Sequence, residues 1–164
     1  MNPVSMKVFV IGYGNTLRGD DGIGYQVAET VAEWQLPQVR SIAVHQLLPE
    51  LAADIADVDL VIFVDAIVTQ DRAKPDITIT PIFAGGDENF STHIITPQLL
   101  LGITQKLYGA TPVAYLLTIP AIDFTLGANL SSIACRGKEL ALDYLKSALE
   151  IVGQFGSIEA TGSE

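Results

Sequence analysis

The sequence has few of the features that mark exported or nucleic-acid-binding proteins. It contains a single cysteine, Cys135, so it cannot form an internal disulfide, and a disulfide-stabilised secreted domain is excluded. It has 9 lysines and arginines against 19 aspartates and glutamates, which gives a formal net charge of -10. Such a charge repels phosphate backbones and anionic lipid headgroups, so neither nucleic acid nor a membrane surface is an expected partner.

Long apolar runs and targeting signals are missing as well. No run approaches the ~20 apolar residues that a membrane-spanning helix requires, and the first residues lack the basic and apolar stretches of a signal peptide. The 164 residues are 49% hydrophobic and 17% charged, enough apolar material for a packed core. We therefore expect one domain over residues 1–164, with a frayed polar tail from 153 to 164, in a soluble, cytoplasmic monomer.

The chain up to Ile67 alternates strand and helix patterns. The order β-α-β-α-β predicts parallel strands joined by right-handed crossovers. Apolar, β-branched runs with little alternation indicate strands that are buried on both faces. The expected strands are Lys7–Tyr13, Gln38–His45 and Asp59–Ile67, and the intervening helices follow Gly22 and Pro49.

The pattern then changes. Asp76–Phe83 follows the third strand too closely for a helical crossover and contains Pro81, so it is predicted to be an antiparallel edge strand. A helix capped by Thr96, a strand Pro112–Ile119 ended by Pro120, and a helix Ser131–Val152 complete the prediction. The predicted fold class is α/β, a single-domain three-layer sandwich. Its mostly parallel twisted sheet has about five strands, one antiparallel edge strand and helices on both faces.

The predicted strand order brings acidic residues from distant parts of the sequence together. Ligands of open α/β sheets bind outside the carboxyl ends of the strands where strand order reverses, here between the first and third strands. Asp20 and Asp21 follow the first strand, and Asp65 ends the third. His93 precedes a helix that is expected to start at the same edge. Two carboxylates and an imidazole suit a borderline divalent metal with open coordination positions.

Each of these residues also has an ordinary structural interpretation. Asp20 or Asp21 could cap the helix that follows, Asp65 could bind loop amides, and His93 could be a plain surface histidine. His45, at the end of the second strand, is expected at the same edge, with a structural or substrate-lining role.

A nucleotide site is a further alternative, because Gly12 and Gly14 follow a strand. The third glycine of the dinucleotide fingerprint is missing, since Leu17 stands at its position. The acidic pair in the same loop would also repel a pyrophosphate. A nucleotide-binding function is therefore disfavoured.

The loop after the first strand resembles the opening motif of a known family. Residues 12–24, Gly-Tyr-Gly-Asn-Thr-Leu-Arg-Gly-Asp-Asp-Gly-Ile-Gly, are similar to the first motif of the hydrogenase maturation endopeptidases, and Phe63–Ala66 resembles their second motif. His45–Ala52 and Ile119–Ala121 resemble the subgroup that serves bidirectional, NAD-coupled hydrogenases. The resemblance extends over residues 7–150.

The resemblance implies an aspartic-type endopeptidase that removes the C-terminal extension of a nickel–iron hydrogenase large-subunit precursor after nickel insertion. The nickel-loaded precursor is the expected partner, and its nickel is the recognition element. The enzyme itself then needs no resident cofactor, although another divalent metal could bind it in vitro. The family's metal-contacting and catalytic residues correspond to Asp21, Asp65 and His93, while Asp20 is expected to order the loop. The alternative is a non-proteolytic nickel-binding chaperone or scaffold for the same precursor.

Overall fold

The described part of the chain alternates strands and helices. The computed structural model describes residues 5–70, 76–85 and 94–161. A short 3-10 helix, Gly19–Gly22, precedes α1. The strands are β1 (Val8–Tyr13), β2 (Val39–Val44), β3 (Leu60–Val68), β4 (Thr78–Ile82) and β5 (Val113–Ala121). The helices are α1 (Ile23–Glu33), α2 (Leu51–Ile55), α3 (Pro97–Tyr108) and α4 (Ser132–Thr161).

The five strands form one sheet in the order β2-β1-β3-β5-β4. β1 is parallel to both β2 and β3, β3 is parallel to β5, and β4 is antiparallel to β5 at the edge. The first strand therefore lies between the second and the third, and the edge strand that contains Pro81 is antiparallel. Both features confirm the predicted fold class.

Helices cover both faces of the sheet. On one face, Val27 of α1 and Leu145 of α4 are fully buried in the same apolar cluster. On the other face, Ile55 of α2 and Leu100 of α3 are fully buried in a second cluster. Each such side chain stabilises the fold by about 1.5–3 kcal/mol relative to leaving it exposed. Within the described ranges, no helix is long and apolar enough to cross a membrane.

The ends of α3 follow directly from its sequence. The side-chain oxygen of Thr96 accepts a hydrogen bond from the Leu99 backbone N–H at 3.1 Å, and Pro97 occupies the first turn, where its missing N–H is harmless. Gly109 ends the helix in the left-handed conformation, with φ of 66°. The predicted start of this helix at Thr96 and Pro97 is confirmed.

The end of β5 differs from the prediction. Pro120 was expected to end this strand, but β5 continues through it to Ala121. Thr118 is the last β5 residue that pairs with β4, so beyond it the described neighbour of β5 is β3 alone. A proline without a backbone N–H is tolerated where one side of the strand has no ladder to complete.

The end of α4 also differs. The helix was expected to stop at Val152, followed by a frayed tail, but it continues to Thr161. Glycine at position 153 is less favourable in a helix than alanine by about 1 kcal/mol. Unlike proline, however, it keeps its N–H and adds no clash, so the helix is not forced to end there.

The carboxyl edge of the sheet is stepped. β1 pairs with β3 as far as Gly12 and Val64, whereas β3 and β5 remain paired up to Val68 and Ala121. At about 3.3 Å per residue, the β3–β5 pair extends roughly 13 Å beyond the last β1–β3 pair. Asp65 is the first β3 residue beyond this step. Because side chains alternate along a strand, it lies on the same face as Phe63, the face that α2 and α3 cover.

Candidate functional site

The loop between β1 and α1 packs tightly against the ends of β1 and β3. A Cβ atom on Gly24 would lie 2.3 Å from the Val64 carbonyl oxygen. A Cβ atom on Gly14, whose φ is +146°, would lie 1.8 Å from the Asp21 carbonyl oxygen. Any other residue at either position would force the two segments apart. These glycines therefore permit the close backbone approach that brings the acidic pair to the carboxyl edge.

Asp20 is fully buried and holds the segment that follows β5. Its Oδ2 accepts hydrogen bonds from the backbone N–H groups of Ile122 (2.9 Å) and Asp123 (3.1 Å). The Ser131 hydroxyl donates to Oδ2, and the Ser131 N–H donates to Oδ1, both at 2.7 Å. Burial raises the pKa of Asp20, but these hydrogen bonds outweigh it and hold the pKa below the ordinary 3.8. The contacts agree with the expectation that Asp20 orders the loop.

Asp21, the next residue, is half-buried and makes a local contact. Its Oδ2 accepts a hydrogen bond from the Asn15 backbone N–H at 2.9 Å. It also lies close enough to Asp65 for its negative charge to raise the pKa of that carboxyl. Asp21 and Asp65 therefore lie near each other beyond the last β1–β3 pair, and the region between these two residues is called the crevice.

Asp65 is half-buried on the wall of this crevice. Burial raises its pKa from 3.8 to about 6, and the charge of Asp21 adds to the rise. The nearby Tyr13 hydroxyl and the Ala66 N–H, which donates to Oδ1 at 2.8 Å, oppose this rise. A carboxyl group with a pKa near 6 changes protonation close to neutral pH, which is typical of functional sites.

Tyr13 belongs to the site but was not singled out from the sequence. It lies beside Asp65 and affects the pKa of that carboxyl, and its ring packs against the cluster between the sheet and α2 and α3. Burial, and then the charge of Asp65, raise the pKa of Tyr13, so the phenol stays protonated and acts as a donor. The register of β1 against β3 is the feature that could have identified Tyr13. Gly12 pairs with Val64, so the next residue on each strand also lies side by side.

The structure describes only one of the two histidines, His45. His93, the third predicted ligand, lies outside the described residues. Over residues 5–70, 76–85 and 94–161, no group of three or more histidine, cysteine, aspartate or glutamate side chains could hold a metal ion. The exposed ring of His45 stacks on Tyr25 of α1, with centroids 5.1 Å apart and planes 22° apart. This contact is structural, and a substrate-lining role for His45 stays a prediction.

Several solved structures share this fold. The hydrogenase maturating endopeptidase HybD from Escherichia coli is 25% identical, with a TM-score of 0.65 over 90% of this chain and 94% of that one. A hydrogenase 2 maturation peptidase from a Thaumarchaeota archaeon is 28% identical, with a TM-score of 0.63 over 88% and 98%. The chain is therefore similar to hydrogenase maturation endopeptidases in fold and, at 25–28% identity, in sequence. No protein-family model matches the sequence, and no curated protein sequence matches it.

A third solved structure is similar to this chain in fold. The nickel–iron hydrogenase maturation protease HycI from Thermococcus kodakarensis has a TM-score of 0.73 at 24% identity, over 88% of this chain and 93% of that one. At that level of identity the likeness concerns the fold. Resemblance to the subgroup that serves bidirectional, NAD-coupled hydrogenases stays a prediction.

The two carboxylates of the crevice would supply only part of a cation's ligands. Asp21 and Asp65 are both half-buried, and their negative charges are close enough to interact. Two carboxylates in that arrangement repel each other, and a cation placed between them would relieve both the repulsion and the effect of burial. Carboxylate oxygens from two separate elements would leave other coordination positions of such a cation open.

Proposed function

We propose that this protein is an endopeptidase that removes the C-terminal extension of a nickel–iron hydrogenase large-subunit precursor after nickel insertion. The observation that carries the proposal is the meeting of Asp21 and Asp65 in the crevice beyond the β1–β3 step. Support comes from relatives of at least 25% identity, which are themselves a hydrogenase maturating endopeptidase and a hydrogenase maturation peptidase. The nickel-loaded precursor is the proposed partner.

Nickel carried by the substrate is the proposed recognition element. Asp21 and Asp65 would contact it at its open positions, and His93 is proposed as the third contact. An imidazole beside two carboxylates suits a borderline divalent ion better than oxygen ligands alone. One chain supplies all three contacts, so we propose that the protein acts as a monomer.

Contact with the metal would place the scissile bond beside the carboxylates. Fixing two reacting groups in the right geometry can lower a barrier by about 7–11 kcal/mol. The attacking water is activated either by the substrate's metal or by a carboxylate. Asp65, with a pKa of about 6, is largely ionised at pH 7 and can accept a proton there. An aspartic-type mechanism corresponds to this second route.

Mass spectrometry of the precursor tests the proposal. Nickel-loaded and nickel-free precursors are each incubated with the wild-type protein and with an Asp21→Ala, Asp65→Ala double variant. We expect one C-terminal peptide to be lost from the nickel-loaded precursor only, and only with the wild-type protein. Asp143→Ala, at an exposed position of α4, is the matched control and should cleave at the wild-type rate.

Three outcomes would change the proposal. Cleavage by the double variant at the wild-type rate would remove the two aspartates from the mechanism. Equal cleavage of nickel-free precursor would leave a protease that does not use nickel for recognition. An intact precursor in every sample, together with a stable complex, would favour the chaperone or scaffold alternative.

A further inference from the structure

The segment Tyr13–Asn15 contacts both carboxylates of the crevice. Tyr13 lies beside Asp65, because Gly12 pairs with Val64 in register, and two residues later the Asn15 N–H donates to Oδ2 of Asp21 at 2.9 Å. Between them, Gly14 has no side chain, and its Cα lies against the Asp21 backbone. One short stretch of chain therefore fixes the two acidic side chains relative to each other.

The Tyr13 end of this segment is itself rigidly held. Tyr13 is the last residue of β1 and pairs in register with Val44 of β2. The Gly14 N–H then bonds to the Val44 carbonyl at 3.2 Å, so the backbone is also held on the far side of the tyrosine. The ring packs against the cluster under α2 and α3. Little freedom remains for the hydroxyl group, so it serves as a fixed donor.

Asp65 needs such a donor because its other described contact is local. Its Oδ1 accepts from the N–H of Ala66, the adjacent residue, at 2.8 Å. A hydrogen bond from the adjacent residue moves together with the backbone of Asp65, so it restricts the orientation of the carboxylate only weakly. The Tyr13 hydroxyl comes from a different strand, so a hydrogen bond from it would restrict the direction of the carboxylate.

We propose that Tyr13 is a positioning residue, whose hydroxyl holds the Asp65 carboxylate in the orientation that lets Asp65 and Asp21 face one cation. The role rests on the proposed function, because it presumes that the pair contacts the nickel of the substrate. Partners that orient metal-contacting carboxylates typically change metal affinity or activity by about 10–100-fold when they are removed.

The test removes only the hydroxyl, with Tyr13→Phe in the full chain. Tyr115→Phe is the matched control, since it removes the same group from a half-buried tyrosine of β5, which pairs with Ile62 well below the step. Two readouts are compared with the wild-type protein. One is the affinity for Ni²⁺ alone by isothermal titration calorimetry. The other is kcat and KM for nickel-loaded precursor.

We expect Tyr13→Phe to weaken Ni²⁺ binding about 10-fold and to lower kcat/KM by about 10-fold or more. The loss should lie mainly in kcat, because precursor contacts away from the metal would remain while the metal is held less accurately. Tyr115→Phe should leave both quantities within about twofold of wild type, because Tyr115 lies well below the step and away from the two carboxylates. A purely structural tyrosine would instead lower the melting temperature and leave Ni²⁺ affinity unchanged.

The two readouts separate this inference from the proposed function. If Tyr13→Phe matches wild type in Ni²⁺ affinity and in cleavage, the positioning role is overturned. If the wild type does not cleave the precursor but loses Ni²⁺ affinity on Tyr13→Phe, the positioning role stands and the protease assignment fails. A wild-type protein that neither binds Ni²⁺ nor cleaves would overturn both.

Discussion

Two aspartates at the carboxyl edge of the sheet have opposite environments. Asp20 is fully buried, and its carboxylate receives hydrogen bonds from the backbone and hydroxyl groups of the β5–α4 connection, which hold its pKa below 3.8. Asp65 is half-buried, and burial together with the charge of Asp21 raises its pKa to about 6. The residue with the smaller solvent-exposed surface therefore has the more easily ionised carboxyl.

The difference shows that donors placed around a carboxylate, and not depth alone, decide its role. At Asp20 the fold supplies enough hydrogen-bond donors to stabilise the negative charge, so the residue links the loop after β1 to the segment after β5. At Asp65 the donors are fewer and a like charge is near, so the ionised state is left unfavourable. An ionised carboxylate that the protein itself stabilises poorly is expected at a ligand-binding site, because the ligand can supply the missing stabilisation.

Replacing Asp20 should have the largest effect on stability. Asp20→Asn keeps the shape of the side chain but sets an amide NH₂ group against N–H and O–H donors in a buried site. Each buried donor left unsatisfied costs about 1–3 kcal/mol. The melting temperature should therefore fall by roughly 10 °C, since about 1 kcal/mol corresponds to 2–4 °C in a chain of this size. Differential scanning calorimetry at pH 7 measures the change.

The effect should also depend on pH with a definite sign. The pKa of Asp20 is lowered in the folded state, so the stability that it contributes is present above pH 3.8 and is lost as the pH falls through the folded pKa. The gap between wild type and Asp20→Asn should narrow in acid. Asp143→Asn, at an exposed position, is the control and should shift the melting temperature little. If Asp20→Asn also shifted the melting temperature only slightly, the contrast between the environments of Asp20 and Asp65 would be lost.

Replacing Asp65 should have a smaller effect of the opposite sign. Its folded pKa of about 6 exceeds the ordinary 3.8, so between these values the folded state binds more protons than the unfolded state. Wild-type stability therefore falls as the pH rises through this window and stays lowered above it. Asp65→Asn removes that loss and should stabilise the protein at pH 8 by roughly 1–2 kcal/mol, after allowance for solvent screening.

The pH dependence distinguishes this effect from a general change in packing. The difference in melting temperature between Asp65→Asn and wild type should grow from pH 5 to pH 8, when it is followed in matched buffers. A constant difference across that range would mean that the carboxyl of Asp65 does not titrate near pH 6. Precursor cleavage by the same variant should be abolished, since a gain in stability at the expense of activity is typical of functional sites.

The sequence predicted the fold and the convergence of Asp21 and Asp65 because both depend on long-range patterns. Buried strands have apolar, β-branched runs, and the β-α-β-α-β order fixes which strand ends are neighbours. The loop role of Asp20 was also expected, although its partners were not. Those partners are at positions 122, 123 and 131, and no local pattern links them to the loop after β1.

Contacts that would be lost if the strand register shifted by one residue could not be predicted from the sequence. The position of Tyr13 beside Asp65 requires that β1 and β3 be aligned with Gly12 beside Val64, and apolar runs of this kind specify register only weakly. The continuation of β5 through Pro120 depends on where β4 stops pairing, which is equally a tertiary feature. His93 lies outside the described residues, so its place beside the two aspartates stays a prediction.

The smallest expected effect tests the link between the two carboxylates of the crevice directly. Burial is the main cause of the raised pKa of Asp65, and the charge of Asp21 is a lesser cause. Asp21→Asn removes that charge, so the pKa of Asp65 should fall but stay above 3.8. Carbon-13 NMR titration of the side-chain carboxyl groups measures this in the metal-free protein. Asp20→Asn is the informative comparison, because its carboxylate is not among the causes of the raised pKa. If Asp21→Asn leaves the pKa of Asp65 unchanged, the two carboxylates are too far apart to share a cation, and burial alone would raise the pKa of Asp65.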